Sequence, residues 1–396
     1  MLVYASTNFI FGEKGGKVMF LKFKVKNYKS IGEEAGIDMV AGSGSDNKHF
    51  LFIEKNNVKI LPMLAIFGVN VSGKTNLIEA LCNMCLDIKD SYKNGFNDLM
   101  RVNPNLFNGE LREQPTEYEM CLAIKDKEYR YGYAANKEEI KKEWLYVRKL
   151  SMNETKWQNV FDREENSISF CDKYRSLDNF SAIFTNNNNM LVLSFLGAKQ
   201  DKKLQVFADI YKWIFSTCMS FDSPNLKAYA ENEDLKEEFT KFIGEIDPSI
   251  TGITANNEDI RVMRKSGEYP LEIESSGIKK LFACYSVIYS HLKLERGLFV
   301  ADDFDWHLHS TVIKRIASMY HDSNENTKGS QLIGSYHNLI LLVDNKGIRR
   351  DEIVLAKNSE FNNLGNIVRA DMNYEKNLLD GTIDEIMTLK HTYSKK

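Results

Sequence analysis

The stretch Leu61–Leu81, LPMLAIFGVNVSGKTNLIEAL, decides how the rest of the chain is read. Its apolar run Met63 to Phe67 predicts a short buried strand. Gly68-Val69-Asn70-Val71-Ser72-Gly73-Lys74-Thr75 follows and fits G-x-x-x-x-G-K-[ST]. Apolar residues then recur at helical spacing: Leu77, Ile78, Leu81, Met84, Cys85 and Ile88. Strand, glycine loop and helix in this order are the context in which the pattern holds nucleotide phosphates. The loop from Gly68 through Ser72 and Gly73 lets backbone N–H groups close around phosphate oxygens, and the helix N-terminus adds partial positive charge. Lys74 is placed to reach the β- and γ-phosphates, and Thr75 to hold Mg²⁺.

The chain has 396 residues, enough for two or three compact units. With 43% hydrophobic and 27% charged residues its composition is that of an ordinary globular protein. A formal net charge of −3 gives no bulk attraction to nucleic acid and leaves room only for a local basic patch. No apolar run is long enough to span a membrane, and the first residues do not read as a signal peptide. The six scattered cysteines suit a reducing cytosol, so a cytoplasmic protein is expected. Cys82 and Cys85 form a C-x-x-C inside the helix after the glycine loop. Without a second pair elsewhere, core packing is the expected role.

Around this centre the chain divides into three parts. Residues 1–150 hold a loose lead-in to residue 18, a half-buried strand at Phe20 to Lys26, a second at Ile37 to Val40, and the phosphate loop. Strand-like segments Thr116 to Ile124, Glu128 to Ala134 and Glu143 to Leu150 predict an antiparallel β-subdomain. Residues 151–250 are dominated by helical patterns and read as a helical insertion. Residues 251–396 return to strands, including Ile260 to Met263 and Leu271 to Ile273, then a helix from about Lys279. A buried strand Leu298 to Ala301 ends in Asp302-Asp303, and Gln331 to Gly334 leads to Ser335-Tyr336-His337. Glu352 to Ala356 is the last clear strand, before a polar tail. The expected fold is α/β, with a mixed central sheet.

In parallel α/β sheets ligands lie at the C-terminal ends of strands. Asp302 ends an apolar strand and is a candidate Mg²⁺ ligand, directly or through water. Asp303 is a candidate to orient or deprotonate the attacking water, and His337 to bond the γ-phosphate. His307 and His309 follow the acidic pair, but a metal centre needs more ligands than they offer. Ser276-Gly277 precedes a helix and is a second candidate anion site, although serine-glycine turns are also common caps.

The order of these pieces resembles the ATPase heads of ABC type, in the SMC/RecF-like branch and the bacterial AAA-family ATPases of OLD-type and phage-defence systems. GVNVSGKTNLIEAL resembles the Walker A segment of that group, with its asparagine Asn70 and the trailing Asn76-Leu77. ESSGIKKL resembles the ABC signature, FVADDFDWHLH the Walker B and D-loop, SYHNLILL the switch-histidine segment, RRDEIVLAKN the strand after it, and FKVKNYKSI the first strand. The resemblance implies a P-loop NTPase of ABC/SMC-head type that uses ATP and Mg²⁺. It also implies a homodimer or higher oligomer in which Ser276-Gly277 of one protomer caps ATP held by the other. Asn70 and Asn76 would then join the nucleotide site, and Gln114, before a strand, would be the glutamine-loop ligand of the metal. The group usually carries glutamate where Asp303 stands; one methylene less moves the carboxylate back by about 1.5 Å, which implies slow hydrolysis.

The chain beyond His337 is too short for an added domain of usual size. A nuclease or toxin effector is therefore expected on a separate chain, regulated by an ATP-driven switch in phage defence. The alternatives are a DNA-repair or chromosome-maintenance ATPase of RecF type, with nucleic acid as partner, and a slow-turnover regulatory nucleotide binder.

Overall fold

The phosphate loop leaves the middle strand of a five-stranded sheet. The computed structural model describes residues 18–42, 48–53, 57–92, 100–153, 155–165, 167–199, 201–217, 223–294, 296–338 and 347–367. The expected lead-in before residue 18, the polar tail after residue 367 and Cys218 lie outside the described residues. The sheet runs Leu298–Ala301, Gln331–Tyr336, Met63–Phe67, Ile353–Lys357, Glu360–Asn363. The first four strands are parallel and the last pair is antiparallel. Tyr336 lies opposite Phe67 and Ala301 opposite Gly334, so Asp302-Asp303, His337 and the phosphate loop all leave the same end of the sheet.

Met63–Phe67 is buried along its whole length. Leu64 and Ile66 enter one hydrophobic core, and Met63, Ala65 and Phe67 the other. A strand covered on both faces reads as a continuous apolar run rather than an alternation, which is why this one was legible. The first core also holds the inner face of helix Lys74–Asp90 and one face of a seven-stranded antiparallel sheet. That sheet runs Ser167–Phe170, Gln158–Glu164, Ile140–Lys149, Lys127–Ala135, Thr116–Ile124, Val18–Lys26, Ala35–Asp38. The buried amide of Gln331 ties the two sheets together. It accepts from Phe20 N at 2.8 Å and donates to Phe20 O at 2.9 Å, as a ladder residue would.

Three sequence expectations need correction. Residues 151–250 are not helical throughout. They open with the hairpin Gln158–Glu164 and Ser167–Phe170, which completes the antiparallel sheet. Strand Gln158–Glu164 carries a bulge: Leu145 pairs with Phe161 and Tyr146 with Asn159, so Val160 is an extra residue, and the adjacent Val160 and Phe161 are both buried, which breaks the strand period. The helices that follow divide: Val192–Ala198 and Gln205–Ser216 join the first core, while Leu226–Glu231 and Glu233–Ile246 join the second, with Ser276–Tyr289 and Ser310–His321. Leu271–Ile273 is a 3-10 turn rather than a strand. The strand is Gly267–Pro270, and Pro270 at its end has no N–H to continue the ladder. Lastly, Glu352 to Ala356 is followed by one more strand, Glu360–Asn363. Asn358 and Ser359, both with positive φ (52° and 62°), make the tight hairpin turn between them. Among the described residues no helix is long and apolar enough to cross a membrane.

Candidate functional site

The phosphate loop closes on itself by backbone geometry. Gly73 has φ 98°, a conformation open to glycine, and a Cβ there would meet Ser359 Oγ at 2.9 Å. At Gly68 a Cβ would lie 2.4 Å from Ala356 O, so the strand end passes its neighbour only as glycine. Ser359 N donates to Ser72 O at 2.9 Å and fastens the hairpin turn to the loop. Gly73 is the N-cap of helix Lys74–Asp90 and offers no side-chain acceptor. The N–H groups of the first turn are thus left for a ligand. Ser72 Oγ is buried and has no hydrogen-bond partner. Lys74 Nζ folds over the loop, donating to Gly68 O at 2.7 Å and Val69 O at 3.4 Å. Burial lowers the Lys74 pKa, while Asp303, Asp302 and Asp305 act in the opposite direction.

A cleft of about 780 Å³ opens above the loop. Asn70 to Asn76 form its floor, Ser30 one side, and Asp303, Asp305, Trp306, His307 and His337 the other. Asp303 is in the left-handed region, φ 46°. Its carboxylate lies 2.8 Å from His337 Nε2, and both side chains are about two-fifths exposed, at 41% and 39%. Asp302 is held behind this pair: Ser335 Oγ donates to its Oδ1 at 2.5 Å and accepts Asp303 N–H at 2.8 Å.

Of the residues singled out in the sequence, Asn70, Ser72, Gly73, Lys74, Thr75, Asn76, Asp303 and His337 meet in this cleft. Gly68 stands at the loop's entrance, and Asp302 is bound to Ser335 beside it. Ser276 and Gly277 are not among the lining residues. Ser275 is the helix cap, accepting from Ile278 N at 3.3 Å. Ser276 is exposed, with its Oγ 3.4 Å from His307 Nδ1. Both pack against His307 of the cleft wall, where a Cβ on Gly277 would come within 2.8 Å of His307 O. Gln114 is exposed in the turn before its strand, where its carbonyl accepts from Asn27 Nδ2 at 2.9 Å; it does not line the cleft.

Sequence reasoning missed Trp306 and two polar residues of the lining. Asp305 accepts the backbone N–H groups of His337 (3.0 Å) and Asn338 (2.6 Å), and so fixes the end of the histidine strand. Ser30 accepts from Asn76 Nδ2 at 2.7 Å and lies 2.8 Å from Ser359 Oγ. The signal for Ser30 was the turn Asn27 to Ser30, read only as a connection. Among the described residues no group of three or more His, Cys, Asp or Glu could hold a metal by itself. His309 instead caps helix Ser310–His321. Cys85 is fully buried and its thiol is pushed up to about 12 by burial, as expected of core packing.

Residues 63–190 match the family described as "AAA domain, putative AbiEii toxin, Type IV TA system". No curated protein matches the chain. Similar solved structures include the SMC head domain from Thermotoga maritima, at 15% identity and TM-score 0.40, covering 85% of this chain and 94% of that one. Another is the Smc head bound to the C-winged helix domain of ScpA, at 14% identity and TM-score 0.43, covering 86% and 95%. A third is the Smc head with an extended coiled coil bound to the C-terminal domain of ScpA, derived from Pyrococcus furiosus, at 12% identity and TM-score 0.42, covering 92% and 99%.

Proposed function

We propose that this chain is an ATPase of ABC/SMC-head type that dimerises around ATP and controls a separate effector. The observation that carries the reading is the convergence of Lys74, Asp303 and His337 on one cleft, with Ser276-Gly277 outside its lining. A second anion-binding element that its own cleft does not use is suited to a neighbour's nucleotide.

The residues present fit a nucleotide triphosphate with Mg²⁺: a glycine cradle, an uncapped helix start, the unpartnered Ser72 hydroxyl and a lysine over the loop. Thr75 and Asp302 would hold the metal. The metal, when bound, neutralises charge developing on the phosphate oxygens. Lys74 exchanges its two loop carbonyls for phosphate oxygens, which restores charge pairing to a partly buried ammonium. Asp303 takes the proton of the attacking water, with His337 steadying the carboxylate through the 2.8 Å contact. The short arm of Asp303 and its contact to His337 support slow turnover and a long-lived ATP state.

Two observations favour a protein effector over nucleic acid. Two of the three lysines of strand Val18–Lys26 are already partnered: Lys22 with Asp38 and Lys24 with Glu34, each at 2.6 Å. The family description matched by residues 63–190 names a toxin–antitoxin system. We further propose that effector control serves phage defence, with the effector a nuclease or other toxin. The test is ATP hydrolysis and light scattering on the purified chain. Mg²⁺-dependent turnover lost in Lys74→Ala, with dimers in ATP but not in ADP, is expected. A monomer that hydrolyses ATP at full rate sinks the proposal.

A further inference from the structure

The turn that carries Asp303 is clamped from outside by one side chain. Lys280 lies one helical turn beyond Ser276 on helix Ser276–Tyr289. Its ammonium donates to three main-chain carbonyls of the turn: Asp303 at 3.2 Å, Phe304 at 3.0 Å and Trp306 at 2.6 Å. Three acceptors match the three protons of an ammonium. The turn needs such support, because Asp303 (φ 46°) and His307 (φ 64°) both adopt the left-handed conformation without being glycine. Each is a costly choice for an L-residue unless its surroundings hold it. The helix start packs on the same turn: a Cβ on Gly277 would come within 2.8 Å of His307 O.

We infer that Lys280 is a positioning residue that makes the Ser276-Gly277 helix start and the Asp303 turn one rigid body. It rests on the proposed ATPase reading and extends it to how the two halves of a site communicate. In each protomer the helix start that would meet a neighbour's phosphate is tied to the carboxylate that serves the protomer's own nucleotide. Seating Ser276-Gly277 therefore sets the backbone from which Asp303 projects. A carboxylate must lie within hydrogen-bond reach of the water it activates, about 2.6–3.2 Å, so slack in this turn is felt at Asp303. Burial lowers the Lys280 pKa, in keeping with an ammonium enclosed by protein carbonyls.

Lys280→Met keeps the length and removes the donors; Lys280→Arg keeps a cation with donors. Misplacement of a reacting group by about 1 Å costs on the order of 100-fold. We expect Lys280→Met to lower kcat by about 10–100-fold, with KM and ADP affinity within about threefold of the parent because the phosphate loop is untouched. Lys280→Arg should recover most of the rate. Hydrogen exchange is measured in parallel: amides 302–309 should exchange faster in Lys280→Met, and amides 70–76 should not. Unchanged exchange over 302–309 overturns the clamp, whatever the rate does. Equal losses in Met and Arg variants, or a parental rate in Lys280→Met, overturn its role toward Asp303. A parent protein that fails to hydrolyse ATP counts against the proposed function, while the exchange arm still decides on the clamp.

Discussion

The Ser335 hydroxyl joins the two neighbouring acidic residues: it donates to Asp302 Oδ1 at 2.5 Å and accepts Asp303 N–H at 2.8 Å. One buried side chain on the adjacent parallel strand thus holds the Asp302 carboxylate and the backbone from which Asp303 projects. Removing it leaves a main-chain N–H without its acceptor at a left-handed residue. Such a loss costs about 1–3 kcal/mol. We predict that Ser335→Ala lowers hydrolysis by about tenfold or more and raises the Mg²⁺ concentration needed for half-maximal rate. Ser335→Thr, which keeps the hydroxyl, should stay near the parent rate. Steady-state rates over a Mg²⁺ titration check this, and a parental rate in Ser335→Ala would remove the residue from the site.

Asp303 is expected to be the base. Asp303→Asn should abolish turnover while ATP still binds, as read by equilibrium binding of a fluorescent ATP analogue. Asp303→Glu lengthens the arm and should raise turnover above the parent. Hydrolysis at the parent rate in Asp303→Asn would show that the water is activated elsewhere.

The composite site is tested by mixing two dead variants. Gly277 is a poor position for the second lesion, because any side chain there meets His307 O and disturbs the Asp303 turn in the same chain. Ser276 is exposed, so Ser276→Asp adds charge with little local cost. Lys74→Ala and Ser276→Asp should each be inactive alone. In a mixed dimer one site pairs an intact loop with an intact Ser276, so mixing should restore activity if the two sites fire independently. Light scattering must confirm that mixed dimers form; dimers without rescue would count against independent composite sites.

A fourth prediction concerns pH. His291 is buried, donates Nε2–H to Ser216 O at 2.8 Å, and leaves Nδ1 without a partner. Burial lowers its pKa from the ordinary 6.5 to about 4. The unfolded chain therefore binds the proton first, and stability falls as pH drops from about 6.5 to about 4. Asp87 has the opposite sign. Its burial outweighs Arg101 and Tyr133 and raises its pKa from 3.8 to about 6, so its contribution is lost as pH rises through that window. On acidification below about pH 6.5, denaturant midpoints should decline less in His291→Gln than in the parent; as pH rises from about 4 to about 6, they should decline less in Asp87→Asn than in the parent. Parallel curves for variant and parent would show that the group does not titrate with folding.

The phosphate loop was legible because everything it needs is contiguous. The covered strand Met63–Phe67, the glycines and helix Lys74–Asp90 follow one another, and each leaves a local pattern. The acidic and histidine strands were legible for the same reason: buried apolar runs ending abruptly in polar residues. What the tertiary structure alone decided is which residues stand beside them. Ser335 reaches Asp302 and Asp303 because of the register between two parallel strands, Ala301 opposite Gly334. Ser30, Asp305 and Lys280 act on partners brought close by folding rather than by periodicity. The edge hairpin Gln158–Glu164 and Ser167–Phe170 was hidden because its own bulge at Val160 breaks the period that betrays a strand. Local sequence carries side-chain periods and glycine conformations. Register, sheet order and the partners of a buried donor are set by the packing of distant segments, which no local pattern encodes.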